Sequence, residues 1–89
     1  MEIRSINQLL LIKNILNNLK DGEKYNKYEI AKASGDKSNF YRSKLLEKLL
    51  LNSFLIQKSK DYELKRVLLF AWYEDYIKHN FSIKVPFRW

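Results

Sequence analysis

Tyr28-Glu-Ile-Ala-Lys-Ala-Ser-Gly-Asp-Lys-Ser-Asn-Phe-Tyr-Arg-Ser-Lys-Leu45 is the stretch that decides the architecture of this 89-residue chain. Just before it, Asn26 stands three residues ahead of Glu29. This is the spacing at which an N-cap side chain and a Glu satisfy each other's free backbone amides. A short helix over Lys27–Ala33 follows, with Ile30 as its apolar residue. The small Ala31 and Ala33 permit another helix to approach closely. Gly35 ends it, because glycine supplies the positive φ of a tight turn without steric cost. A second helix begins within three or four residues, capped by Asp36 or Ser38. Tyr41, Leu45 and Leu49 recur at i, i+4 and i+8, with Leu46 and Leu50 alongside, so the pattern predicts one helix to about Leu51-Asn52 with this face in the core. Ser38, Asn39, Arg42, Ser43 and Lys44 fall on its outward side. Phe40 is compatible with either side.

Towards the N-terminus, Ser5 and Gln8 form a second capping-box pattern and open a helix predicted over Ser5–Lys20. Ile6, Leu9, Leu10, Leu16 and Leu19 give its core stripe. Ile12 and Ile15 widen that stripe beyond one core face, which fits either a wide surface serving the core alone or a core side with a second side for a partner. Lys20 in the last turn suits the helix dipole, and Asp21-Gly22 stops the helix.

Towards the C-terminus, residues 54–64 read as a short hairpin with the polar Gln57–Asp61 at its tip, in competition with a helix starting at Asp61. Residues 65–79 read as a helix whose apolar residues go most of the way round it. A small domain cannot bury all of them, which suggests a subunit interface. The tail alternates: Phe81, Ile83, Val85, Phe87 and Trp89 are apolar, and Ser82, Lys84, Pro86 and Arg88 lie between them. That is an extended arm, restricted by Pro86 to an edge or an unpaired position. It packs on its own chain or a twin, or reaches DNA through Lys84 and Arg88.

Composition narrows the class. Eighty-nine residues make a single domain over 1–89, burying only about 60% of its unfolded surface. At 46% hydrophobic with 13 aromatics the chain is too apolar for a disordered basic tail. The absence of cysteine excludes a disulfide scaffold, a thiolate zinc site and a cysteine nucleophile. The longest apolar run, Val67–Tyr73, is seven residues, against about 20 for a membrane span. The opening MEIRSINQ does not read as a secretory signal. The expectation is a cytoplasmic, DNA-associated protein with no membrane partner.

The net charge of +7 is unevenly placed. Residues 32–60 hold seven basic and two acidic side chains, a net of +5, whereas 1–31 and 61–89 each hold five against four. The excess therefore lies on the second helix of the pair and on the hairpin, as a polyanion-binding surface requires.

Two helices joined by a short glycine turn form a helix-turn-helix signature. With Leu46-Glu-Lys-Leu49 and Phe54-Leu55-Ile56 following, the chain over about 26–64 resembles the winged helix-turn-helix DNA-binding domain, as in MarR-like and PadR-like regulators and small regulators of archaeal plasmids and viruses. The resemblance implies a mainly α fold with the helix-turn-helix at about 26–51, a β-hairpin wing at about 54–64 and a C-terminal dimerisation helix at about 65–79. Two departures matter. Asp36 stands where the family has an apolar turn residue, and Ser53 where it has Gly before the wing, which implies a short or reduced wing.

The implied activity is sequence-specific binding of double-stranded DNA by a homodimeric transcriptional regulator, with the recognition helix in the major groove. Arg42 suits a guanine edge and Asn39 an adenine edge, each through two hydrogen bonds. Lys37, Ser38, Ser43 and Lys44 suit phosphate or mixed contacts, the helix N-terminus itself favours a phosphate, and Lys58 and Lys60 suit flanking phosphates. Ile12, Ile15, Leu69, Trp72, Tyr73, Tyr76 and Ile77 are the expected dimer interface. Two other readings compete. One is a plasmid partition-site or replication accessory protein that spreads on DNA and recruits a second protein. The other is a winged-helix protein-interaction module. Catalysis has little support: His79 is the only histidine, Glu74 and Asp75 are adjacent and do not share a helix face, and no metal-ligand or cofactor motif occurs.

Overall fold

The computed structural model describes residues 1–3 and 5–80; the expectations for the tail at 81–89 lie outside the described residues. The elements are α1 (Ile6–Asn18), β1 (Lys24–Tyr25), α2 (Lys27–Ala33), α3 (Lys37–Arg42), α4 (Leu45–Leu51), β2 (Leu55–Lys58), β3 (Asp61–Leu64) and α5 (Arg66–Asn80). The fold is thus mainly helical with a small antiparallel sheet of order β1-β3-β2. No helix of the described residues is long and apolar enough to cross a membrane.

α1 is the central element. It packs against α2, α3 and α5. That explains a reversal of the expected stripe: Ile12 and Ile15 are fully buried, while Ile6 and Leu10 are exposed. A helix packed against three others needs a broad buried face, and Leu9, Leu11, Ile12, Ile15 and Leu16 form one continuous arc, with Leu19 buried just past the helix end. Ser5 is the N-cap residue, but its side chain makes no capping bond, so the predicted capping box is not formed. The helix also stops at Asn18, which leaves Lys20 beyond the last turn.

Two distant residues tie off helix ends at this junction. Asp21 Oδ1 accepts the Arg66 backbone N–H at 2.8 Å, capping α5 from 45 positions away. The Arg66 guanidinium Nε donates to the Leu16 carbonyl at 2.8 Å, satisfying one of the free carbonyls at the end of α1.

The predicted hairpin forms. β2 and β3 pair with Leu55 opposite Leu64 and Lys58 opposite Asp61, so the two-residue loop is Ser59-Lys60, and no helix starts at Asp61. Ser59 takes the positive φ of 60° that the turn demands, without a glycine. β1, which the sequence reading does not contain, adds Tyr25 opposite Tyr62.

The helix expected to run to Leu51 is broken in two. Lys44 has φ 56° and ψ 36°, in the left-handed region, between α3 and α4. Its N–H bonds to the Tyr41 carbonyl at 3.1 Å, so Lys44 occupies the position past a helix end that usually carries glycine. Ser53 does the same after α4. It has φ 61°, its N–H reaches Leu50 O at 3.1 Å and that of Phe54 reaches Leu49 O at 2.9 Å, the paired bonds of a Schellman ending. The missing glycine before the hairpin is therefore replaced by a strained serine, and the hairpin is built.

Candidate nucleic-acid interface

α2 starts as its sequence predicts. Asn26 Oδ1 accepts the Glu29 N–H at 2.8 Å and Glu29 Oε1 accepts the Asn26 N–H at 2.9 Å. Its far end is held by α1. Asn14 Nδ2 donates to Ser34 O and Asn18 Nδ2 to Ala33 O, both at 2.9 Å. Two asparagines one turn apart on α1 thus satisfy carbonyls at the end of α2 and set the turn. Gly35, at φ +86°, sits against this clamp: a Cβ there would lie 2.7 Å from Asn14 Nδ2. The fully buried Ser34 donates its hydroxyl to Ala31 O.

Asp36 caps α3. Its Oδ1 accepts the Asn39 N–H at 3.1 Å and its Oδ2 accepts from Asn39 Nδ2 at 2.9 Å. Two expectations change. The N-terminus of α3 is already occupied by a carboxylate, so it is not an open phosphate site. The half-buried Asn39 spends its amide on Asp36, so reading adenine would require breaking that bond.

The helix is also rotated from the predicted orientation. Phe40 is fully buried and Tyr41, expected in the core, is 44% exposed. With Phe40 inward, Lys37, Ser38, Tyr41 and Arg42 are the exposed residues of α3. Lys37 Nζ lies 4.6 Å from the Tyr28 ring centroid and donates to its hydroxyl at 3.3 Å. That hydrogen bond, reinforced by the charge of Lys37, holds the Tyr28 phenol below its usual value. Lys27 Nζ stands 6.0 Å from the Tyr41 centroid. Two exposed tyrosines, each beside a lysine, therefore join α2 to α3 across this face. Sequence reasoning missed Tyr28 and Lys27; the rotation of α3, once known, is the signal that would have found Tyr41.

The remaining candidates divide in two. Arg42, Ser43 and Lys44 come together, with Ser5, Gln8 and Lys48, around one cleft of about 440 Å³. Lys58 and Lys60 occupy the exposed hairpin tip instead. No group of three His, Cys, Asp or Glu side chains suited to a metal occurs among the described residues. His79 lies in the last turn of α5, its Nδ1 3.3 Å from Asp75 Oδ1, with both side chains solvent-exposed.

The expected dimer interface is largely used up inside the chain. Ile12, Ile15, Leu69, Tyr73 and Ile77 are core residues, and burial pushes the Tyr73 phenol up. Leu69, Tyr73 and Ile77 are the i, i+4, i+8 stripe that seats α5 in the core. Trp72 and Tyr76 are half-buried and stack at 5.2 Å. The large apolar residues that α1 and α5 expose are Ile6, Leu10, Val67 and Leu68. Comparison with protein-family models, curated proteins and solved structures finds no match to this chain.

Proposed function

We propose that this protein is a sequence-specific double-stranded DNA-binding protein of winged helix-turn-helix architecture, acting as a homodimeric transcriptional regulator. α2 and α3 serve as the helix pair, α3 as the helix that enters the major groove, and β2–β3 as a short wing. One observation carries the reading. Residues 26–42 hold four cations, Lys27, Lys32, Lys37 and Arg42, against two carboxylates, Glu29 and Asp36, each spent as a cap at the N-terminus of its own helix, so the helix pair keeps a net charge of +2. A clamped, positively charged helix pair fits the groove of a polyanion. Lys58 and Lys60 at the wing tip reach flanking phosphates.

Lys37, Ser38 and Tyr41 are the groove-facing residues, and Tyr41 is suited to apolar contact with a thymine methyl group. A second copy pairs through the exposed Ile6, Leu10, Val67 and Leu68 in place of the buried residues. The two recognition helices then meet half-sites about 34–36 Å apart. Selection of duplexes from a random pool tests this. The expected result is enrichment of an inverted repeat with that half-site spacing. Binding without enrichment contradicts the sequence-specific reading, and a monomer at micromolar concentration in sedimentation contradicts the homodimer.

A further inference from the structure

The break between α3 and α4 produces a feature that the groove-facing residues do not account for. The cleft there is lined by Ser5 and Gln8 from the start of α1 and by Arg42, Ser43, Lys44 and Lys48. Three of these six residues are cations and none is an acid. The side chains of Arg42 and Lys44 make no hydrogen bond or ion pair with a described residue, and Lys48 Nζ meets only the Glu2 carbonyl, at 3.5 Å.

Three like charges around one concavity repel one another and focus a positive potential into it, which favours an anion. The backbone is bent to bring them there. Lys44 takes a left-handed conformation that disfavours any side chain, and the resulting turn sets Lys44 and Lys48, one helical turn apart, beside Arg42. The donors also differ usefully in kind. A guanidinium offers a planar fork, two ammonium groups offer point charges and Ser5 offers a hydroxyl, while the Ser43 hydroxyl is donated to Phe40 O at 3.3 Å. This set matches a tetrahedral oxyanion with several acceptor oxygens.

We infer that this cleft is a phosphate-binding site and that it grips a backbone phosphate beside the groove occupied by α3. That the phosphate belongs to duplex DNA rests on the proposed function; that the cleft binds phosphate does not. Arg42 is then a phosphate contact and not a reader of guanine, and base reading falls to Lys37, Ser38 and Tyr41.

Two measurements on the full chain test this. In the first, inorganic phosphate is titrated against the 15N-labelled protein at constant ionic strength. Saturable amide shifts centred on Ser43, Lys44 and Lys48 are expected, and their absence, or equal shifts with chloride, overturns the site. In the second, Lys48→Gln and Arg42→Gln are compared with wild type on selected and random duplexes, with circular dichroism verifying the fold. Each substitution should weaken both duplexes by the same factor and lower the salt slope by about one, so that the wild-type advantage shrinks about three- to fourfold between 50 and 200 mM salt. Loss on the selected duplex alone overturns the phosphate role of Arg42. An unchanged slope with the phosphate shifts retained overturns the DNA source and leaves a site for a free phosphate compound. If wild type binds no duplex but shows the phosphate shifts, the proposed function fails and the cleft stands.

Discussion

Phe40 and Tyr41 are consecutive residues with opposite fates: their rings meet edge to face, centroids 5.6 Å apart, with Phe40 sealed in the core and Tyr41 at the surface. The burial of Phe40 in the core, with Tyr41 left outside, fixes the rotation of α3 about its own axis, and therefore which side chains the helix offers outward. Phe40→Ala should cost about 3–5 kcal/mol, the usual range for emptying a buried phenylalanine site, and in a domain this small should leave little folded protein. Tyr41→Ala should shift the urea midpoint only slightly but weaken duplex binding. Equal destabilisation by the two substitutions contradicts the rotation.

Lys44 adopts φ 56° and Ser59 φ 60°, conformations that glycine adopts without penalty. Lys44→Gly and Ser59→Gly should therefore each be neutral or raise stability by about 1 kcal/mol, strain relief outweighing the added freedom of the unfolded chain. Lys44→Gly should at the same time weaken binding of inorganic phosphate. Thermal unfolding checks the first effect and the phosphate titration the second. A clear loss of stability in Lys44→Gly contradicts the left-handed break.

Gly35→Ala should act in the opposite direction. Its φ is +86°, and the new Cβ would displace the Asn14 amide from 2.7 Å, breaking the Asn14–Ser34 bond that seats the turn. The side chain can swing away, so the cost is that of a strained φ plus one lost hydrogen bond, about 1–3 kcal/mol. Chemical denaturation measures it, and an unchanged midpoint contradicts the clamp.

The sheet carries a pH-dependent contact. Lys65 Nζ donates to Glu63 Oε2 at 2.8 Å, and this bond holds the Glu63 carboxyl below its usual range. A carboxyl depressed in the folded state contributes stability that is present above its unfolded pKa and is lost as pH falls through its folded one. In Lys65→Met the Glu63 carboxyl should titrate closer to the usual value by NMR, and part of the acid loss of stability should disappear. A Glu63 titration unmoved by the substitution contradicts the pairing.

What could be read from the sequence, and what could not, follows from the range of the forces involved. α2 was legible to the residue because the Asn26–Glu29 box and Gly35 act locally. The hairpin and α5 were legible from turn polarity and continuous apolarity. The break at Lys44 was hidden because of the helix ends at residues 35, 44 and 53, all left-handed, only the first carries glycine. The rotation of α3 was hidden because adjacent aromatics satisfy a helical period equally well. The burial of Ile12 and Ile15 depends on α1 being covered by three other helices, a tertiary fact that no window of its own sequence contains. For the same reason the sequence placed Ile12, Ile15, Leu69, Tyr73 and Ile77 at an interface that the core had already claimed. At the site, the cluster of charge on residues 32–60 was legible, but the meeting of Arg42, Lys44 and Lys48 with Ser5 across 37 or more positions was not.

Whether the charged α2–α3 face and hairpin tip engage duplex DNA is decided by the affinity of wild-type protein for duplex at a series of salt concentrations. A straight log–log fall is expected, with a slope near −0.9 for each phosphate neutralised, shallower by about one in Lys60→Gln. No retention of duplex at low salt, or an affinity indifferent to salt, would contradict it.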